Sequence, residues 1–226
     1  MIWQFSVVPL ILAKISNMEV LTKLPPTLAE RLELEDEIRY PASFDEFWET
    51  LEECQYKVEY HNGQIVSIMS YATDKHELLT AKILGIFFKL FDEKPDYYIF
   101  ASNRPILKPD KTGVYEPDAY IVIGTPQLFQ YDKGKNANVN PAVVVEIQSK
   151  TTRDYDWDEK LPAYKQIPSV QQIIFIDSQR QKASIFRRME IENQWLNMDF
   201  FEAEDKIPVL DAEITVKDLY RKVSLF

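Results

Sequence analysis

The sequence predicts an α/β domain on a mixed sheet, and three observations predict it. Apolar residues recur at 3/4 spacing in two stretches, 44–54 and 74–90, as on the inward face of a helix. Alternating runs flank Asn62-Gly63, a strong hairpin signal. Continuous apolar runs of strand length, such as Ala142-Val-Val-Val145, suit strands buried on both faces. The order helix, hairpin, helix, strands, helix, strands is not a doubly wound βαβ series.

The chain has 226 residues, 46% apolar and 13% aromatic, enough for one sizeable core. A single domain over 40–226 is expected, preceded by an N-terminal arm, 1–39. Residues 1–13 look superficially like a signal segment, but no basic stretch precedes them and Lys14 follows directly. That run is also too short to span a bilayer. Met18 offers a second start, so residues 1–17 read as an over-extended start or a disordered tail. Cys54 is the single cysteine, and His61 and His76 are the only histidines. This excludes a disulfide framework and a cysteine or histidine metal cluster. Neither GxGxxG nor GxxxxGK[ST] occurs, so the common nucleotide cradles are absent. A reduced, cytoplasmic protein without membrane contact is expected.

The elements follow in order. Leu24-Pro-Pro-Thr-Leu28 reads as loop, and Leu32–Glu37 as an acidic, exposed segment. Ser43 and Glu46 form a capping-box pair, and Phe44, Phe47, Trp48 and Leu51 give a helix over 44–54 its apolar face. Tyr56–Tyr60 and Gln64–Met69 are the hairpin strands. Leu78, Leu79, Ile83, Ile86, Phe87 and Leu90 stripe a long helix over 74–90. Strands are expected near 97–101, 106–108, 119–123 and 142–147, with a polar loop over 130–138. A helix over 158–166 tolerates Pro162 only in its first turn, which puts its N-cap near Asp158. Strands near 171–177, 183–189 and 194–201 precede a short helix, 216–223, capped by Thr215.

Two acids stand at strand ends. Asp118 follows Pro117 and opens Ala119–Ile123; Glu146 closes the run Ala142–Val145. An acid ending a doubly buried strand needs a cation or a donor set to meet its charge. If the two strands are neighbours, both carboxylates can share one hard divalent cation, the beginning of a phosphodiesterase site. The alternatives are a turn residue after proline for Asp118, and a structural pair with Lys160 for Glu146.

The hairpin, the long helix, the Pro117-Asp118 strand, Val144-Val145-Glu146-x-Gln148-Ser149 and Lys160-x-x-x-Tyr164 together resemble the Uma-type restriction endonucleases, a branch of the PD-(D/E)XK nuclease superfamily. The resemblance covers roughly residues 40–205. It implies a restriction-endonuclease-like mixed sheet flanked by helices, and metal-dependent hydrolysis of DNA. Asp118, Glu146 and the Ile147 carbonyl would hold Mg²⁺ (or Mn²⁺) together with waters. The superfamily pattern has lysine two residues after the second acid; here Gln148 stands there, able to position a water but not to supply charge. Lys160 shares an inward stripe with Trp157, Leu161 and Tyr164, and is the expected replacement. Glu59 is a weaker candidate, since by alternation it shares a face with Lys57 opposite Val58 and Tyr60, and a polar outer face is its plainer reading. His76 and Glu77 could reach the site from the long helix, with capping or solvent contact as the alternative. Lys150 and Arg153 are either phosphate contacts or solvated loop charges.

The formal charge of −10 is unevenly spread: residues 133–188 carry 10 basic and 6 acidic groups, and the flanking segments are acidic. A local field can steer a polyanion despite the total. A homodimer is expected if both strands of a duplex are cut. The competing expectation is a catalytically inactive nuclease fold that binds nucleic acid or protein, and a third is a phosphodiesterase with a non-DNA substrate.

Overall fold

A computed structural model describes residues 24–69 and 73–223; the expected tail, residues 1–17, lies outside these. The chain forms two large sheets and one small one, and the six-stranded sheet is the expected mixed sheet. The central strand of the six-stranded sheet is β10 (Pro141–Gln148), and every one of its residues is buried. It runs parallel to β11 (Gln172–Asp177) and antiparallel to β7 (Ala119–Ile123). Beyond β7 lies β4 (Tyr97–Ala101); beyond β11 lie β12 (Ala183–Arg188) and β13 (Trp195–Phe200).

Alternation along β10 divides the interior into two cores. Val143, Val145 and Ile147 face α3 (Asp74–Phe91), whose Leu79, Ile83, Phe87 and Phe91 are fully buried. The same core receives α6 (Val216–Tyr220) and the hairpin β14 (Lys206–Val209)/β15 (Ala212–Thr215). Val144 faces the other way, with Tyr120, Leu161, Tyr164 and Phe175. Each of these large side chains, moved from water to a dry interior, stabilises the fold by about 1.5–3 kcal/mol. Glu146, by parity, belongs to the second face.

The seven-stranded sheet has the order β1-β3-β2-β6-β5-β9-β8. Its hairpin pairs β2 (Glu59–His61) with β3 (Gln64–Ile68) across Asn62 and Gly63, whose φ values of 48° and 83° are those the Asn-Gly dipeptide accepts. Helix α2 (Phe44–Glu53) covers this sheet with Phe47 and Trp48, and its Ser43–Glu46 capping box is formed. The described part of the N-terminal segment joins in. Helix α1 (Leu28–Leu32) precedes β1 (Glu37–Pro41), which pairs with β3. Arg31 is wholly buried there, its guanidinium donating to Ser67 and to the carbonyls of Glu35, Asp36 and Ser67.

Three local expectations are corrected. The polar stretch 130–138 is a hairpin, β8 (Leu128–Asp132) and β9 (Lys135–Asn138), turning at Gly134 with φ 86°. Its signal is the alternation of Phe129 and Tyr131, which pack on Phe44 and Trp48 while the residues between them face water. Strands β5 (Ile106–Leu107) and β6 (Gly113–Tyr115) pair with each other, and β6 lies in a stretch for which the sequence predicts no element. The helix expected at 158–166 begins earlier, at α4 (Arg153–Tyr155), and passes through a π-turn, Asp156–Lys160, into α5 (Leu161–Lys165). A wide turn immediately before Pro162 absorbs the ring and the missing N–H, so proline need not lie in the first turn of the whole helix.

Candidate active site

The two strand-end acids meet at one end of the six-stranded sheet. They line a pocket of about 150 Å³ with Lys57, Glu59, His76, Ile147, Thr152, Tyr155, Asp156 and Lys160 among its walls. Asp118 sits one residue before β7 and Glu146 near the end of β10; because these strands are neighbours, their carboxylates share a pocket despite the intervening chain.

Asp118 is nearly buried. Its Oδ2 accepts from the Ile147 N–H at 2.6 Å, and its Oδ1 lies 3.4 Å from His76 Nε2. Burial resists ionisation, but His76, Lys57 and the Ile147 N–H outweigh it and hold the carboxyl below its ordinary pKa. His76 reaches Asp118 from the first turn of α3, where Thr73 caps the backbone N–H of His76. Burial disfavours the charged imidazole, yet Asp118 and Glu77 raise its pKa above normal. Glu77 is 65% exposed and touches His76 Nδ1 at 3.4 Å; it does not line the pocket.

Glu146 is buried, and its Oε1 receives Lys160 Nζ at 3.0 Å and the Tyr164 hydroxyl at 2.5 Å. Lys160 also lies 3.1 Å from Glu59 Oε1 and 3.7 Å from Asp156 Oδ1. One ammonium, 4% exposed, therefore faces three carboxyl groups. The consequences differ by site. At Glu146 burial dominates and, with repulsion from Asp118 and Glu59, outweighs Lys160 and Lys57, so the pKa rises. At Glu59 burial opposes ionisation but loses to Lys160, Lys57 and the Glu116 N–H, so the pKa falls. Asp156 is pushed well above the carboxylate range, chiefly by burial. Lys160 itself is held charged by its three acids against the desolvation of its burial.

Glu59 does not lie on a polar outer face. Both faces of β2 are covered, so Glu59 and Tyr60 are buried alike, and the alternation argument loses its premise. Lys57, half-exposed, completes the polar wall: its Nζ donates to the Glu116 carbonyl at 2.5 Å and lies 3.4 Å from Glu59. Gln148 is placed differently from the other candidates. It pairs with Asp177 across the sheet, is buried, does not line the pocket, and its Nε2 has no partner among the described residues. Asp156 and Tyr164 complete the cluster; Tyr164 is read from sequence only as part of the Lys160-x-x-x-Tyr164 motif, and Asp156 is not singled out there. Asp156 stands at i−4 from Lys160, a spacing that places both on one side of a helix; a helix start set at 158 hides it.

The donor set suits a hard divalent cation in a specific way. Asp118 and Glu146 offer carboxylate oxygens, and Ile147 lines the pocket with them. Among the described residues, no three His, Cys, Asp or Glu side chains form a cage ready for a metal. Mg²⁺ is typically held by one or two carboxylates, with water and substrate phosphate oxygens completing its shell. Repulsion between Asp118 and Glu146, one of the causes raising the Glu146 pKa, is what a cation between them would relieve.

Known proteins share this architecture. A crystal structure from Anabaena variabilis, titled as "a putative nuclease", superposes with a TM-score of 0.61 at 21% identity, covering 80% of this chain and 98% of that one. An uncharacterized protein of Synechocystis is 24% identical over 152 residues, 67% of this chain and 82% of its own length. The profile of the Uma2 family, described as "Putative restriction endonuclease", matches residues 44–217. The chain belongs to this family, and a nuclease function follows at that level of description. Among the described residues no helix is long and apolar enough to cross a membrane.

Proposed function

We propose that the protein is a Mg²⁺-dependent endonuclease hydrolysing phosphodiester bonds in DNA, with Mn²⁺ able to substitute. One observation carries the reading: Asp118 and Glu146, delivered by adjacent strands, line the same small pocket, beside an amine bound to Glu146. Asp118 and Glu146 would hold the cation, with the Ile147 carbonyl as a further oxygen. When bound, such a cation acidifies a water and offsets charge developing on the scissile phosphate.

The protein's own residues supply the rest. Lys160 and Tyr164 fix the Glu146 carboxylate in one rotamer. Lys160 also brings the positive charge that Gln148 cannot. The Ile147 N–H and His76 orient Asp118 from two sides and keep it ionised. Lys57, exposed at the rim, is the cation in the pocket most open to an entering phosphate. Cutting both strands of a duplex is simplest with two copies of the chain.

The test is nicking of supercoiled plasmid with Mg²⁺, Mn²⁺ or EDTA, comparing wild type with Asp118→Asn and Glu146→Gln. Metal-dependent nicking that both substitutions abolish is expected. Nicking that survives both, or persists in EDTA, refutes the assignment. Wild type that binds Mn²⁺ calorimetrically yet cuts no DNA would instead support an inactive binding module.

A further inference from the structure

We propose that Arg153 and Arg180 form a phosphate clamp that grips the DNA backbone beside the cleavage pocket; the choice of ligand rests on the nuclease reading above. Asp177 ends β11 directly across from Gln148, two residues beyond Glu146 in the parallel pair. Its carboxylate is 3% exposed. One oxygen, Oδ1, accepts the backbone N–H groups of Gln179 at 2.8 Å and Arg180 at 3.3 Å, closing the turn after the strand. The other, Oδ2, accepts from Arg153 Nη2 at 2.5 Å and from Arg180 Nε at 2.8 Å.

A single carboxylate oxygen thus holds two guanidiniums. Neutralising Asp177 needs one arginine; the second adds a net positive charge and like-charge repulsion. The remaining N–H donors of both side chains have no partner among the described residues. The arginine side chains are 34% and 60% exposed, whereas the acid that anchors them is buried. Two planar forks, locked at one end and open at the other, match the geometry of phosphate oxygens and lose little entropy on binding.

Placement supports the same ligand. Ser149 and Thr152 exchange hydrogen bonds, the Ser149 N–H to Thr152 Oγ1 at 3.2 Å and the Thr152 N–H to Ser149 Oγ at 3.1 Å, which fixes the turn that launches Arg153. Thr152, Tyr155 and Asp156 on the same segment line the pocket with Asp118 and Glu146. Both arginines fall within 133–188, the net-basic part of a chain whose total is −10. With so little diffuse attraction for a polyanion, held guanidiniums matter more than they would on a basic surface.

The experiment is fluorescence anisotropy of a labelled DNA duplex with full-length protein in EDTA, repeated across salt concentrations. Arg153→Ala and Arg180→Ala are measured singly, since each leaves Asp177 one arginine, and thermal unfolding checks that both fold. Each should weaken binding roughly five- to tenfold and flatten the log–log salt slope by about 0.9 for every phosphate no longer neutralised. Lys206→Ala, an exposed charge on β14 paired with Glu213, should change neither. Unchanged affinity and slope in both arginine variants overturns the clamp, as does an equal loss in Lys206→Ala or a wild type that does not bind the duplex. If binding depends on the arginines but no metal supports nicking, the clamp stands and the hydrolytic reading fails.

Discussion

Replacing Lys160 by methionine keeps the side-chain volume and removes the charge that three acids share. Glu146, Glu59 and Asp156 lie 3.0, 3.1 and 3.7 Å from that ammonium, and all four side chains are buried. Removing one partner of a buried ion pair costs about 3–5 kcal/mol, because the remaining charge is left without compensation. For a domain of this size that lowers Tm by roughly 6–20 °C. The loss depends on pH in a determined direction. In the wild type Glu59 is held below its ordinary pKa, so its stabilisation is present at neutral pH and is lost as pH falls through the depressed value. In Lys160→Met, burial opposed only by the more exposed Lys57 raises Glu59 and raises Glu146 further, so the penalty is largest at neutral pH and fades as both take up protons. The gap between the proteins therefore narrows on acidification. Urea unfolding followed by circular dichroism at about pH 7 and about pH 4.5 measures it, the lower value lying near the ordinary carboxyl range. A loss below about 1 kcal/mol at neutral pH, or a gap that widens towards acid, would show that Lys160 does not hold these buried acids in their charged state.

Asp156→Asn should stabilise the fold by about 0.5–2 kcal/mol, since the amide imitates the protonated acid that burial favours. A raised carboxyl pKa means stability is lost as pH rises through the folded value, so the benefit of asparagine should grow with pH; denaturant titrations showing it shrink would contradict this. Gly113→Ala should destabilise by about 1–3 kcal/mol, because a Cβ there would lie 2.5 Å from the buried Tyr115 ring. A thermal melt identical to wild type would show that the Tyr115 ring does not lie over Gly113 as described.

Much of this arrangement is legible in the sequence, for reasons that differ by residue. Asp118 and Glu146 stand out because each is a carboxylate at the end of an all-apolar strand, although a turn after Pro117 is an ordinary alternative for Asp118. Lys160 stands out because it interrupts an apolar helical stripe. The α2 capping box and the Asn62-Gly63 turn are short-range chemistry, and local sequence suffices for them. Glu59 is harder. Alternation assumes a strand with one wet face, and β2 has none, because long-range packing of two sheets covers both sides. Asp156 is hidden by the π-turn, since Pro162 argues for a helix start that the wider turn makes unnecessary. The β8/β9 hairpin is hidden by its polar edge, and only the aromatic pair facing α2 betrays it. The division into two sheets is a property of pairing between distant strands, which no local window reports.

Lys160 ties β2 of one large sheet to β10 of the other through Glu59 and Glu146, from a helix that belongs to neither. Chemistry at the pocket and cohesion of the two halves of the molecule therefore depend on the same ammonium. Any stress that parts the halves breaks up this pocket in the same event, so the nuclease activity proposed above would have no half-open form able to cut.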